Sequence, residues 1–218
     1  MEYLSANIIG LIPWIVIFKI RKDLRKQMLL MSFIALPIAF FDLIYVPTYW
    51  KPVTLFNIPI GIEGFLFSFE AGGISAGIGA LLARERMEKI KEKDRNKLRF
   101  LLLLIPLIVV FIINTFLPVN VSLGMHTGLF VGILSIFLVR KDLGKNLILS
   151  GLGFLVIYFL SLFIWANIFP QTVRWFTFQN LPKIFIINVP FYELTFGLLF
   201  GAYWGNLYPM LFRYKYKN

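Results

Sequence analysis

Four carboxylates, Asp42, Glu63, Glu70 and Glu193, lie inside strongly apolar stretches of this sequence. An acid within a membrane segment costs about 2.5–3.5 kcal/mol on insertion scales, so it is retained for what it does. Desolvation disfavours the charged form, and a carboxyl kept protonated near neutrality is a proton donor. No Lys or Arg lies in the same stretches to pair with them. The acids must hold a proton, share one, or hydrogen-bond to neighbours such as Asn57, Asn188, Tyr192 or His126. Glu63 and Glu70 are seven residues apart and fall on one helix face. Aromatic residues crowd the same regions: Tyr49, Trp50, Phe65, Phe67, Trp175, Tyr192 and Phe196. Their π-faces could line a cavity that stabilises a cation. With His126 they are the candidate substrate-binding set, and the four acids are the candidate catalytic set.

The elements that must position these groups are transmembrane helices. Apolar residues make up 59% of the 218-residue chain and mean hydropathy is +0.78, values outside the soluble range. The pattern predicts seven spans, near 3–18, 27–46, 59–83, 100–117, 121–139, 147–169 and 186–209. The start of the chain lacks a basic segment, so its first apolar stretch reads as a retained helix. All but Lys51, Arg174 and Lys183 of the 22 basic residues fall on one side of this arrangement. The positive-inside bias then predicts the N-terminus outside and the C-terminus in the cytoplasm of a multi-pass cell-membrane protein. It also accounts for the net charge of +11 without nucleic acid. Zero cysteines exclude disulfides and thiolate chemistry, and one histidine makes a histidine-rich metal centre unexpected, so no metal site is assigned.

The chain repeats itself. RKDLRKQMLL at 21–30 matches RKDLGKNLIL at 140–149, a shift of 119. Further on, Asn57-Ile58-Pro59 faces Asn188-Val189-Pro190, and Glu63 faces Glu193 at a shift of 130. The expected fold is therefore an all-α integral membrane domain, residues 1–218. Two parallel three-helix repeats, 1–83 and 121–218, flank a basic loop and linker helix at 84–120 in a 3+1+3 plan. Gly197, Gly201 and Gly205 form a ladder, with Gly73, Gly77, Ser75 and Gly79 on span three. Small residues let helices approach closely, so spans three and seven are expected to pack together and bring Glu63 and Glu193 to one cavity. The aromatic connections 47–58 and 170–185 suit lids over it.

Residues 41–69 resemble the membrane lycopene β-cyclases, carotenoid cyclases found as two-subunit or fused three-helix repeats. The resemblance rests on Phe41-Asp42, Tyr49-Trp50-x-Pro52 and Ile60-Gly61-Ile62-Glu63-Gly64-Phe65-Leu66-Phe67, with Pro190-Phe191-Tyr192-Glu193 as the second-half counterpart. The family's acidic motif has two adjacent carboxylates. This chain keeps one per half, which marks a divergent member. The resemblance implies a lipophilic polyene substrate, cyclised without redox change: a carboxyl protonates the terminal double bond, the cation closes a six-membered ring, and a carboxylate removes a proton. Such an intramolecular lyase or isomerase needs no cofactor for the net reaction. A flavin or reduced nicotinamide acting without net turnover stays open, although no Gly-rich dinucleotide fingerprint follows a strand. A second reading, a small SWEET-like or proton-coupled transporter, shares the 3+1+3 plan. The absence of lysine from 184 to 214 argues against a retinal photoreceptor, and no Asp-rich motif is present to hold a magnesium diphosphate.

Overall fold

A computed structural model describes residues 2–90 and 97–217. Residues 91–96 of the basic connection, with Lys91, Lys93 and Arg95, lie outside the described residues. The fold is all-helical, with only short strands: α1 (Glu2–Ile20), α2 (Arg25–Ala35), α3 (Asp42–Thr48), α4 (Ile62–Ala83), α5 (Ile105–Phe116), α6 (Val121–Val139), α7 (Gly144–Ile168) and α8 (Phe191–Phe212). Five stretches are long and apolar enough to cross a membrane: Glu2–Ile20, Lys22–Val46, Ile62–Ala83, Val121–Val139 and Lys141–Ile168. The helix α5 is shorter, at 12 residues. The 22-residue α8 is not among the five, because Glu193, Asn206 and several Tyr, Trp and Gly residues lower its hydropathy. Its polar positions are turned inward instead, and Asn206 is wholly buried. Outward faces carry large exposed apolar side chains such as Phe111, Phe116 and Leu138, as a lipid-facing surface should.

The central element is α4, packed against α1, α2, α7 and α8. Its Gly73 faces Trp14 and Ser32, and Gly77 faces Ile17 and Met28, whereas Gly79 faces Ser150 of α7. The α8 ladder differs from the expected α4–α8 pairing. Gly197 and Gly201 press α8 onto α7, and only Gly205 reaches α4, where a Cβ would come within 2.6 Å of the Ser75 carbonyl oxygen. A bulkier residue at 205 would push the two backbones apart.

One rod is broken. Pro37 lies at the start of a 3₁₀ segment, Leu36–Phe41, that separates α2 from α3. Proline removes an N–H and clashes with the preceding turn, so the helix cannot continue regularly. The matching α7 has no internal proline and runs unbroken for 25 residues.

The same corner is built twice at the basic-loop end. Arg21 donates to the carbonyls of Ala80 and Glu85 and pairs with Asp23. Arg140 donates to the carbonyls of Pro209 and Tyr214 and pairs with Asp142. Both caps, Arg84 after α4 and Arg213 after α8, are left-handed. The strands that follow, β1 (Arg86–Lys89) and β4 (Tyr214–Lys217), pair antiparallel with Met87 opposite Tyr216. These contacts fix the shift between α4 and α8 at 129, not 130. A short hairpin, β2 (Phe185–Ile186) with β3 (Val189–Pro190), leads into α8.

Candidate active site

A cavity of about 150 Å³ opens between α1, α3, α4, α6, α7 and α8 at the end remote from the repeated corner. Three carboxyls line it: Asp42, Glu70 and Glu193. So do Tyr49, Trp50, Phe67, Tyr192, Phe196 and His126 from the expected substrate-binding set. Glu63, Phe65 and Trp175 do not.

Glu63 is 1% exposed but faces its own loop: its Oε1 accepts the Leu55 N–H at 2.6 Å, and its Oε2 lies against Gly61. The one-residue change in shift explains this. Glu63 is the second residue of α4 and Glu193 the third of α8. At about 100° per residue, one step swings a side chain from the cavity to the loop. The structural counterpart of Glu193 is therefore Gly64. Where a side chain on Gly64 would project stands the Asp42 carboxylate. The proline break before α3 delivers Asp42 to that place. Phe65 lies outside with Phe40, edge to face at 5.8 Å.

Glu193 accepts a short hydrogen bond from the Tyr158 hydroxyl of α7. Tyr158 is the cavity residue that sequence reasoning missed. Its signal was the single phenol of a span whose other aromatic residues are Phe154, Phe159, Phe163 and Trp165. Phe154 stacks on Tyr158 at 11° and Phe67 lies 5.8 Å from it, so the phenol is held by rings on both sides. Glu70 presses on Gly10 of α1, and its Oε2 has no hydrogen-bond partner among the described residues. A carbon at position 10 would displace it.

His126 binds α6 to α8. Its Nδ1 lies 2.6 Å from the Ser122 carbonyl oxygen, and its Nε2 lies 2.7 Å from the Thr195 hydroxyl and 3.0 Å from the Tyr192 carbonyl oxygen. Each ring nitrogen faces a carbonyl oxygen, so both are engaged in holding the helices together. Over the cavity the two aromatic connections are zipped to each other. Lys51 N donates to Trp175 O and Thr177 N to Tyr49 O, both at 2.7 Å, and Trp50 stacks on Phe176. Trp175 stands behind this lid, between Trp50 and Trp165.

An aromatic-walled cavity around several carboxyls can donate a proton to an apolar molecule and shelter the cation that results. Residues 120–211 match the family model for lycopene cyclases. The second half of the chain is therefore similar to lycopene cyclases. The match contains Glu193, Tyr158, His126 and the second lid connection. The first-half stretch 41–69, on which the sequence resemblance rests, lies outside it. No curated protein and no solved structure matches the chain. That likeness supports a carotenoid cyclase with a lipophilic substrate, working in a membrane. It lends no support to the transporter reading.

Proposed function

We propose that this chain closes a β-type ring on the end of lycopene, or of a closely similar acyclic carotenoid, by acid–base catalysis in the cavity. The observation that carries the reading is the convergence of Asp42, Glu70 and Glu193 in one aromatic-walled cavity. Glu193, held by Tyr158, is the proposed donor and Asp42 the proposed acceptor across the cavity, with Glu70 as the third group through which protons re-equilibrate.

In the reaction an O–H bond of the donor carboxyl breaks and a C–H bond forms at the terminal double bond of the polyene. The tertiary cation left behind is attacked by the next double bond, which closes the six-membered ring and moves the charge into it. The acceptor carboxylate then takes a neighbouring proton, and that C–H pair becomes the ring double bond. Atoms and electrons balance, so the product is an isomer of the substrate. Phe67, Tyr192 and Phe196 face the charge as it moves, an electrostatic contribution available only to a cation. Trp50 and Phe176 close the lid against water, which would capture the cation as an alcohol. A cavity of about 150 Å³ holds a single six-membered ring. One end is processed at a time, and the rest of the chain lies outside.

The proposed frame is seven spans of one multi-pass cell-membrane domain in the 3+1+3 plan, N-terminus outside and C-terminus in the cytoplasm. The twice-built arginine corner and the pairing of β1 with β4 support the repeat. The test is expression in a host that accumulates lycopene, with pigments separated by chromatography. Ring-bearing product is expected. Unchanged lycopene, with the protein verified in the membrane, would overturn the proposal.

A further inference from the structure

Three connections meet at the lid end of the bundle, and one buried side chain ties them together. Asn120 ends the short connection between α5 and α6, caps α6, and is 5% exposed. Its Oδ1 accepts the Ser122 N–H at 2.9 Å. Its Nδ2 donates to the Thr48 carbonyl at 3.3 Å in the first lid connection, and to the Gln179 carbonyl at 2.7 Å in the second. The Thr48 carbonyl also accepts the Thr177 hydroxyl at 3.1 Å, so both lid connections and Asn120 converge on one oxygen.

Capping alone does not call for asparagine. Asp, Ser and Thr cap as well, but only an amide offers an acceptor and two N–H donors on so short a stem. Here the acceptor serves the helix and the donors serve the lid. The backbone around Gln179 points the same way. Phe178 and Asn180, on either side of it, are left-handed, with φ of 47° and 58°. A bulky residue in that region is strained and persists only where surrounding contacts hold it. The turn sets the Gln179 carbonyl on Asn120 and packs the Phe178 ring against Tyr49, Phe176 and Tyr192. Val121, the next residue after Asn120, is buried in the same cluster.

From this point the anchor reaches the acids. Ser122, whose N–H is capped, meets His126 Nδ1 through its carbonyl, and His126 Nε2 faces the Tyr192 carbonyl beside Glu193. On the other side, Thr48 is followed by Tyr49, which lines the cavity.

We infer that Asn120 is a positioning residue, a latch that holds both lid connections to α6 and so keeps water from the cation formed below. The consequence for the cation rests on the cyclase reading, whereas the latch itself does not. With the latch loosened, water competes with ring closure. Its oxygen forms a C–O bond to the tertiary cation, and the oxonium returns a proton to a carboxylate. The product is an acyclic alcohol, the substrate plus one water.

Asn120→Asp separates the latch from the cap, because a carboxylate caps well but has no N–H and would face two carbonyls. The chain has no cysteine, so Ser161→Cys places a single thiol on the cavity wall. The probe is a negatively charged, membrane-impermeant methanethiosulfonate, added to protein in lipid nanodiscs without substrate. Adding Asn120→Asp to Ser161→Cys should speed labelling about tenfold, as expected for two lost hydrogen bonds. A residue that only caps predicts equal rates, and equal rates overturn the latch. Should the Asp variant fail to insert, Asn120→Ser carries the test, since it keeps the cap and one proton. Labelling roughly threefold faster is then expected, and equal rates again overturn the latch. The second measurement is the product mixture from the lycopene-accumulating host. Asn120→Asp should raise the ratio of alcohol to ringed carotenoid about fivefold, and an unchanged ratio overturns water exclusion as the latch's role. Absence of ringed product from wild type counts against the cyclase reading alone, because the labelling rates decide the latch by themselves.

Discussion

The two halves make the same contact with different residues. In the second half Tyr158 of α7 meets Glu193 of α8. With the shifts of 119 and 129, the first-half counterparts are Ala39 and Gly64, and a Cβ on Gly64 would stand 3.5 Å from that of Ala39. A hydrogen-bonded phenol and carboxyl face a pair of the smallest side chains. The space on the smaller side is filled by Asp42, brought in by the break at Pro37. A duplicated frame has thus placed one carboxyl on each wall of the cavity by two routes, one on a straight helix and one on a broken helix. The identical corners at the other end show what the repeat preserves: the frame keeps its anchors, and the site diverges.

This comparison is sharpest at Glu193 and Asp42. Glu193→Gln should lower ring formation by about 10²–10⁴-fold, the range for a lost general acid. Asp42→Asn should fall in the same range, measured as product per unit of membrane-inserted protein. Near-native activity in Asp42→Asn would break the equivalence of the two walls. Tyr158→Phe removes a hydrogen bond to a carboxyl, worth about 1.5–3 kcal/mol, and should slow turnover roughly 10- to 100-fold with little change in KM. No such loss is expected for Ala39→Ser on the opposite wall.

Glu63 gives the reverse test. Glu63→Gln keeps an acceptor for the Leu55 N–H and should leave turnover within about threefold of native. Glu63→Ala orphans that N–H and should destabilise the fold by about 1–3 kcal/mol, read as lower thermal stability in detergent. A Glu63→Gln protein as inactive as Glu193→Gln would restore these two residues as counterparts. The smallest effects belong to the anchors. Arg21→Lys and Arg140→Lys each lose the fork that holds two carbonyls and an aspartate, and should cost about 1 kcal/mol apiece, equally. Unequal losses would show that the two corners are not energetically the same.

Much of this was legible in the residues. Apolar runs gave the helices, and the placement of Lys and Arg marked one end of the bundle. The RKDL motifs marked the repeat because an arginine fork with an aspartate two residues on is a complete device for gripping a helix end. The acids stood out because carboxyls in hydrocarbon are costly. Asp42, Glu70 and Glu193 do meet in one cavity, together with most of the expected aromatic set.

What sequence by itself determined, then, was which buried carboxyls and aromatic residues are candidates for chemistry and that one arginine motif occurs twice. Only the tertiary structure decided which way each one faces. Aligning Glu63 with Glu193 is the natural match by identity, yet a helix turns about 100° per residue, and the arginine corners set the register one residue away. That step sends Glu63 to its loop and leaves Gly64 facing the cavity. Asp42 takes the vacant place because a proline 5 residues earlier bends its helix inward. Tyr158 gains meaning only from what lies across a helix interface, which a linear pattern does not record.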